Sequence, residues 1–270
     1  MSLRIRIGRI AVGSALFATA SAGVYAALVC GQLSATRRRR ITSTDHVPES
    51  FAKSDAVTRL VNPRGNVAWG DSRSVTLRIS STRGRLLRDE ELLARFLKAF
   101  FAGSVFAPER IALSLLRPSV GSFPGEPAPC PSSEGCHVHP RPRGLDSPSA
   151  PSVWDPAELS DQKPPPPGTV LFGTFQLAAM HLADAEDGPA ESTLDVLYGN
   201  GQGRFAGCHR FSIWRETAAD GDTDLWLRLS CVTCNPTVDR PLRPSFMWWF
   251  HKAYAMLLFR DAVGSVQRSL

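Results

Sequence analysis

Proline is the strongest constraint on this chain. Of its 21 prolines, 14 fall between Pro118 and Pro167, and the run Pro164, Pro165, Pro166, Pro167 ends just before Gly168. Proline breaks helix interiors and the middle of sheets. The span 118–168 therefore reads as a disordered Pro-rich insertion with polyproline character at its end, poor in the branched apolar residues that would offset the entropy of ordering. Without it, 45–117 and 169–270 together make one ordinary domain, 45–270.

Within that domain, alternation marks one strand at 74–80, where Val75, Leu77 and Ile79 face opposite to Thr76, Arg78 and Ser80. Asp89, Glu90 and Glu91 open a helix in which Leu92, Leu93, Phe96, Leu97 and Phe100 recur at helical spacing, and Gly103 ends it. A short helix follows at 108–116. Strands are expected at 170–177, 193–198, 205–214 and 225–232, separated by turns of the type Asp187-Gly188-Pro189, Gly199-Asn200-Gly201 and Asp220-Gly221-Asp222. Ser245 caps a last, aromatic-rich helix over 246–266. The order strand, helix, helix, insertion, antiparallel strands, long helix gives an α+β fold.

Charge separates the first 44 residues from the rest. All seven basic residues before Asp45 are arginines, with no acid among them, so a formal +6 chain divides into a +7 leader and a −1 body. A nearly neutral body removes the motive for nucleic-acid binding. No charge occurs over 10–36, long enough for a helix of roughly 20 residues to cross a bilayer. The expectation is a basic leader, 1–44, with a transmembrane helix at 10–32 and a single-pass membrane location. A mitochondrial presequence and a cleaved secretory signal compete with it.

The candidate chemistry is sparse. Cys231-x-x-Cys234 ends a strand, where residues three apart face opposite sides, and it reads as a pair of buried or edge cysteines. Cys130, Cys136, His137 and His139 lie in the Pro-rich span, where nothing fixes metal geometry. Gly199-x-Gly201-x-Gly203 lacks the third glycine and the helix of a nucleotide loop. No catalytic set, metal site or cofactor is expected. His209 shares its strand face with Phe205, Gly207, Phe211 and Ile213, while Arg210 points the other way. An ionisable group on an apolar face is what would orient a ligand. The ligand candidates are therefore His209, Tyr198, Phe211 and Arg210, with His251 behind them. Phe246, Trp248, Trp249 and Phe250 read as core, with a membrane-facing belt as the alternative.

The run Leu197-Tyr198-Gly199, the hairpin to Gly207-x-His209-x-Phe211, the strand ending in Asn235-Pro236 and the helix with Trp248, His251 and Tyr254 resemble the uncharacterised domain-of-unknown-function family numbered nineteen-ninety, in a fungal-type member. Leu60-Val61-Asn62-Pro63 and Phe106-Ala107-Pro108-Glu109 fit the same likeness, which covers mainly 169–270. Family members carry Tyr-Gly-Thr with a nearby His; this chain has Asn200 and Gln202 there. The resemblance implies a helix-grip, START-like fold: a curved antiparallel sheet around a long C-terminal helix, with an apolar cavity between them. The function expected is a membrane-anchored protein binding a hydrophobic small molecule or lipid. An enzyme using His209 with Tyr198 or Arg210, and a tethered interaction scaffold, are the alternatives.

Overall fold

The computed structural model describes residues 23–34, 36, 40–118, 123, 151–183, 191–243 and 246–270. Residues 10–22, Cys130, Cys136, His137, His139, Ser245 and most of the Pro-rich span lie outside these. The elements are α1 (Gly23–Ser34), β1 (Thr42–Thr44), α2 (Glu49–Ala52), a π-helical segment (Ala56–Val61), β2 (Ala68–Ile79), α3 (Ser81–Leu86), α4 (Asp89–Ala102) and α5 (Ala107–Leu116). After the Pro-rich span come β3 (Ser152–Val153), a 3-10 turn (Pro156–Glu158), β4 (Val170–Leu171), β5 (Phe175–His181), β6 (Ser192–Gly199), β7 (Ala206–Thr217), β8 (Thr223–Cys234) and α6 (Phe246–Ser269). The fold is α+β.

One eight-stranded sheet runs in the order β1-β2-β8-β7-β6-β5-β4-β3. Every neighbouring pair is antiparallel except β3 with β4. The first long strand, β2, thus lies beside the last, β8. Both faces are covered. On the inner face α4 packs against β6 and β7, and α6 lies along α4 and β2. On the outer face Phe51, Ala56, Val57 and Val61 cover Leu197, Cys208, Val232 and Cys234. Two covers explain why β7 is buried at every position from Ala206 to Ile213.

The helix held against the middle strands is α4, because its aromatic side chains fill the space there. Phe96 and Phe100 meet Phe211 edge-on at 5.0 and 5.3 Å, and Phe101 meets Phe175 at 5.0 Å. Where the apolar run at 170–177 suggested one strand, the chain makes a hairpin, β4 to β5, through Phe172 and Gly173 at positive φ. A Cβ on Gly173 would meet Pro118 O at 2.4 Å and the Trp154 ring at 2.7 Å. The end of the Pro-rich span is folded, contrary to the expectation of disorder for it: β3 pairs with β4, Asp155 and Glu158 cap the 3-10 turn reciprocally, and Leu159 is buried.

Among the described residues no single helix is long and apolar enough to cross a membrane; α1 is apolar but short. This described part of the expected 10–32 span lies on the body. Leu33 enters the core, the Tyr25 hydroxyl donates to Ser104 O (2.6 Å), and Arg260 donates to Leu33 O and Thr36 O.

Candidate functional site

Sheet register assembles a polar row on an otherwise apolar face. Cys231 of β8 lies opposite His209 of β7 on one side and opposite Asp71 of β2 on the other. Directly opposed residues in antiparallel pairs share a face, so His209, Cys231 and Asp71 stand side by side. Tyr198 of β6 is paired with Gly207. A Cβ at 207 would sit 2.2 Å from Tyr198 Cζ, so the glycine gives the tyrosine ring its place. Across that gap the ring packs on His209 with centroids 4.5 Å apart, and its hydroxyl reaches Cys231 Sγ at 2.9 Å. From above, α6 brings His251, held by the Trp248 ring stacked on it at 5.3 Å and nearly parallel.

Asp71 is the hinge of this centre. Its Oδ2 accepts from Arg73 Nη2 at 2.5 Å, which leaves Oδ1 turned toward His251 Nε2, 3.8 Å away. That separation is too long for a hydrogen bond. Asp71 Oδ1, His251 Nε2 and His209 Nδ1 are all buried and without a hydrogen-bond partner, and they lie together at this one place. Asp71, Cys231 and His251 each offer a ligand atom within 4.8 Å of the others, so these three residues could hold a metal ion. Behind them Tyr254 donates to Glu109 Oε2 (2.8 Å).

The electrostatics follow from crowding charges into a dry space. Burial would raise the Cys231 thiol, but the His209 and His251 imidazoles beside it bring it down to about 6. Burial would lower His251, yet Asp71 and Cys231 carry it up to about 10. Burial likewise pushes Asp71 up, and His251 and Arg73 more than reverse this. Tyr198 is driven well above the ordinary tyrosine range by burial and by Cys231, so its hydroxyl keeps its proton beside the sulfur. Both shifts favour a thiolate beside an imidazolium, the ionised form in which cysteine acts as nucleophile or metal ligand.

Comparison with family models, curated proteins and solved structures finds no match for this chain. Its function must therefore be argued from the site itself.

Of the sequence candidates, Tyr198, His209 and His251 come together. Phe211 is fully buried between Phe96 and Phe100 and is part of the core. Arg210 lies on the opposite face, as its parity requires. There it grips Asp195 with Nε and Nη2, both at 2.7 Å, over the Phe51 ring. Cys231 and Cys234 point to opposite faces, and both are free and buried. Asp71 and Arg73 precede the strand expected at 74–80, and the strand in fact begins at Ala68. The alternation of Val75, Leu77 and Ile79, carried back two steps, puts both on the inner face. A groove of about 470 Å³ opens beside the centre, and its wall includes Asp71, Arg73, Lys252, Trp249, Met256 and Leu257.

Proposed function

We propose that this is a membrane-anchored protein that handles an apolar small molecule or lipid at the polar centre beneath α6, with the first turns of that helix against the bilayer. The observation that carries the reading is the outward stripe of α6. Phe246, Trp249 and Phe250 are 60–70% exposed, and Leu257 is 37% exposed, while Leu258, Phe259, Ala262 and Val263 of the same helix are buried. A helix apolar on both faces needs a second apolar partner, and exposed Trp and Phe suit the bilayer interface. On α1, Val24 and Leu28 are exposed in the same way, and α1 lies within the arginine-bearing leader. The groove beside the centre, whose wall carries both Arg73 and Lys252 and Trp249 and Leu257, suits a ligand with a polar head and an apolar body.

The helix-grip likeness belongs to this proposal. The pairing of β2 with β8 and the C-terminal helix support it, with α4 taking the place on the middle strands. An apolar ligand would then lie toward the groove, because phenylalanines fill the space under α4. A second reading, an enzyme using Tyr198 and His209, is favoured by their contact at 4.5 Å; Arg210 has no part in it.

Carbonate washing of membranes from cells expressing the full chain tests the anchoring: retention in the pellet is expected, and release of the full-length protein would contradict it. Mass spectrometry of the detergent-purified chain should find a co-purifying amphiphile, lost in the variant Trp249→Ser/Leu257→Ser.

A further inference from the structure

We infer that Asp71, Cys231 and His251 form a binding site for a borderline divalent transition metal, zinc foremost. The inference does not depend on membrane location. Three observations carry it. The donor set is one carboxylate oxygen, one thiolate sulfur and one imidazole nitrogen, which suits zinc and is unsuited to magnesium or calcium. The donors converge on one point: a single nitrogen of His251 lies within 4.8 Å of both the Asp71 oxygen and the Cys231 sulfur. In a catalytic relay the imidazole would face its nucleophile with one nitrogen and its carboxylate with the other. The third observation is that Asp71, 2% exposed, keeps Oδ1 buried without a partner, and so does His251 with Nε2.

The surroundings are those of a built site. Arg73 occupies the other oxygen of Asp71, the Tyr198 hydroxyl lies 2.9 Å from Cys231 Sγ, and Trp248 stacks on His251, so each donor is oriented by a neighbour. Two negative ligands would balance the charge of a divalent ion, with the Arg73 guanidinium held on the far oxygen of Asp71. Around a tetrahedral zinc, such donors stand about 3.3–3.6 Å apart, given bonds of roughly 2.0–2.3 Å. The 3.8 Å between Asp71 Oδ1 and His251 Nε2 needs only slight closure. Three protein ligands leave a fourth position, as sites that act on a bound molecule do. His209, with Nδ1 unpartnered beside Cys231, stands where it could serve the ion or whatever occupies that position.

The test uses the full chain in detergent, carrying Cys130→Ser and Cys136→Ser to remove the other thiol-rich stretch. Stripped protein is titrated with Zn²⁺ alone, and in parallel with Co²⁺. One equivalent of zinc is expected, with a thiolate-to-cobalt charge-transfer band. Cys231→Ser should abolish the band, and Cys234→Ser, altered on the opposite face, should keep it. Asp71→Asn, nearly isosteric, should weaken zinc binding at least tenfold, and Tyr198→Phe should weaken it by about 10-fold, in the range for an outer partner. Circular dichroism of each variant separates loss of ligand from loss of fold. Binding of less than a tenth of an equivalent, or a band that survives in Cys231→Ser, would overturn the inference.

Discussion

Tyr198 and Gly207 face each other across the β6–β7 ladder, and the absence of a side chain at 207 is what lets the tyrosine ring lie over the strand and reach Cys231. Gly207→Ala should therefore act on the centre as well as on stability. Overpacking of this kind costs about 1–3 kcal/mol. Urea denaturation should show the loss in the parent, and a smaller loss when Tyr198 is already Leu, since the two residues are in contact. Equal costs in both backgrounds would contradict the account.

Helix α4 stands out by its period, α6 by its long aromatic and apolar run, and strands β6 to β8 by turns that carry glycine, Asn or Asp. Parity placed His209 inward and Arg210 outward correctly. Asp71 escaped because polar residues at the start of β2 hide a continuing alternation. In the sequence Cys231 stands with Cys234, whereas its neighbours in the fold come from other strands and from α6, and only register reveals them. The outer cover, Glu49–Val61, is too short and mixed to announce itself. Without it the burial of β7 on both faces has no apparent cause, and the hairpin at Gly173 is lost inside a continuous apolar run.

Arg210 and Asp195 are a buried pair, with side chains 11% and 4% exposed. Removing one partner leaves the other charge uncompensated, which typically costs about 3–5 kcal/mol. Arg210→Ala should show this in chemical denaturation, while Arg210→Met/Asp195→Leu should recover most of it. Because the pair lies on the outer face, zinc binding by the double variant should match that of the parent.

Glu109 is raised above the ordinary carboxyl range by burial, which outweighs the hydrogen bond from Tyr254 and the influence of His209. The folded state thus holds this proton more tightly than the unfolded one. The contribution is fully present below the unfolded value and is lost as pH rises through the folded value. Glu109→Gln, which can still accept from Tyr254, should gain stability over the parent as pH rises from 4 to 8, with little gain at pH 4. Melting temperatures across that range check this, and a gain independent of pH would contradict it.

Trp249 and Phe250 lie outside the core, so replacing both with Ser should change stability by no more than about 0.5 kcal/mol each. Binding of the full chain to phospholipid vesicles should nonetheless weaken, seen as loss of Trp quenching by brominated lipid. Unchanged quenching would remove α6 from the bilayer contact.

The central claim is that strands β2 and β8 and helix α6 bring three different ligand atoms to one ion. X-ray absorption at the zinc edge, on the loaded full chain carrying Cys130→Ser and Cys136→Ser, tests it most directly. The account predicts one sulfur at about 2.3 Å, with the remaining shell nitrogen or oxygen at about 2.0–2.2 Å. A shell with no sulfur, a shell with two or more, or a chain that takes up no zinc would contradict it.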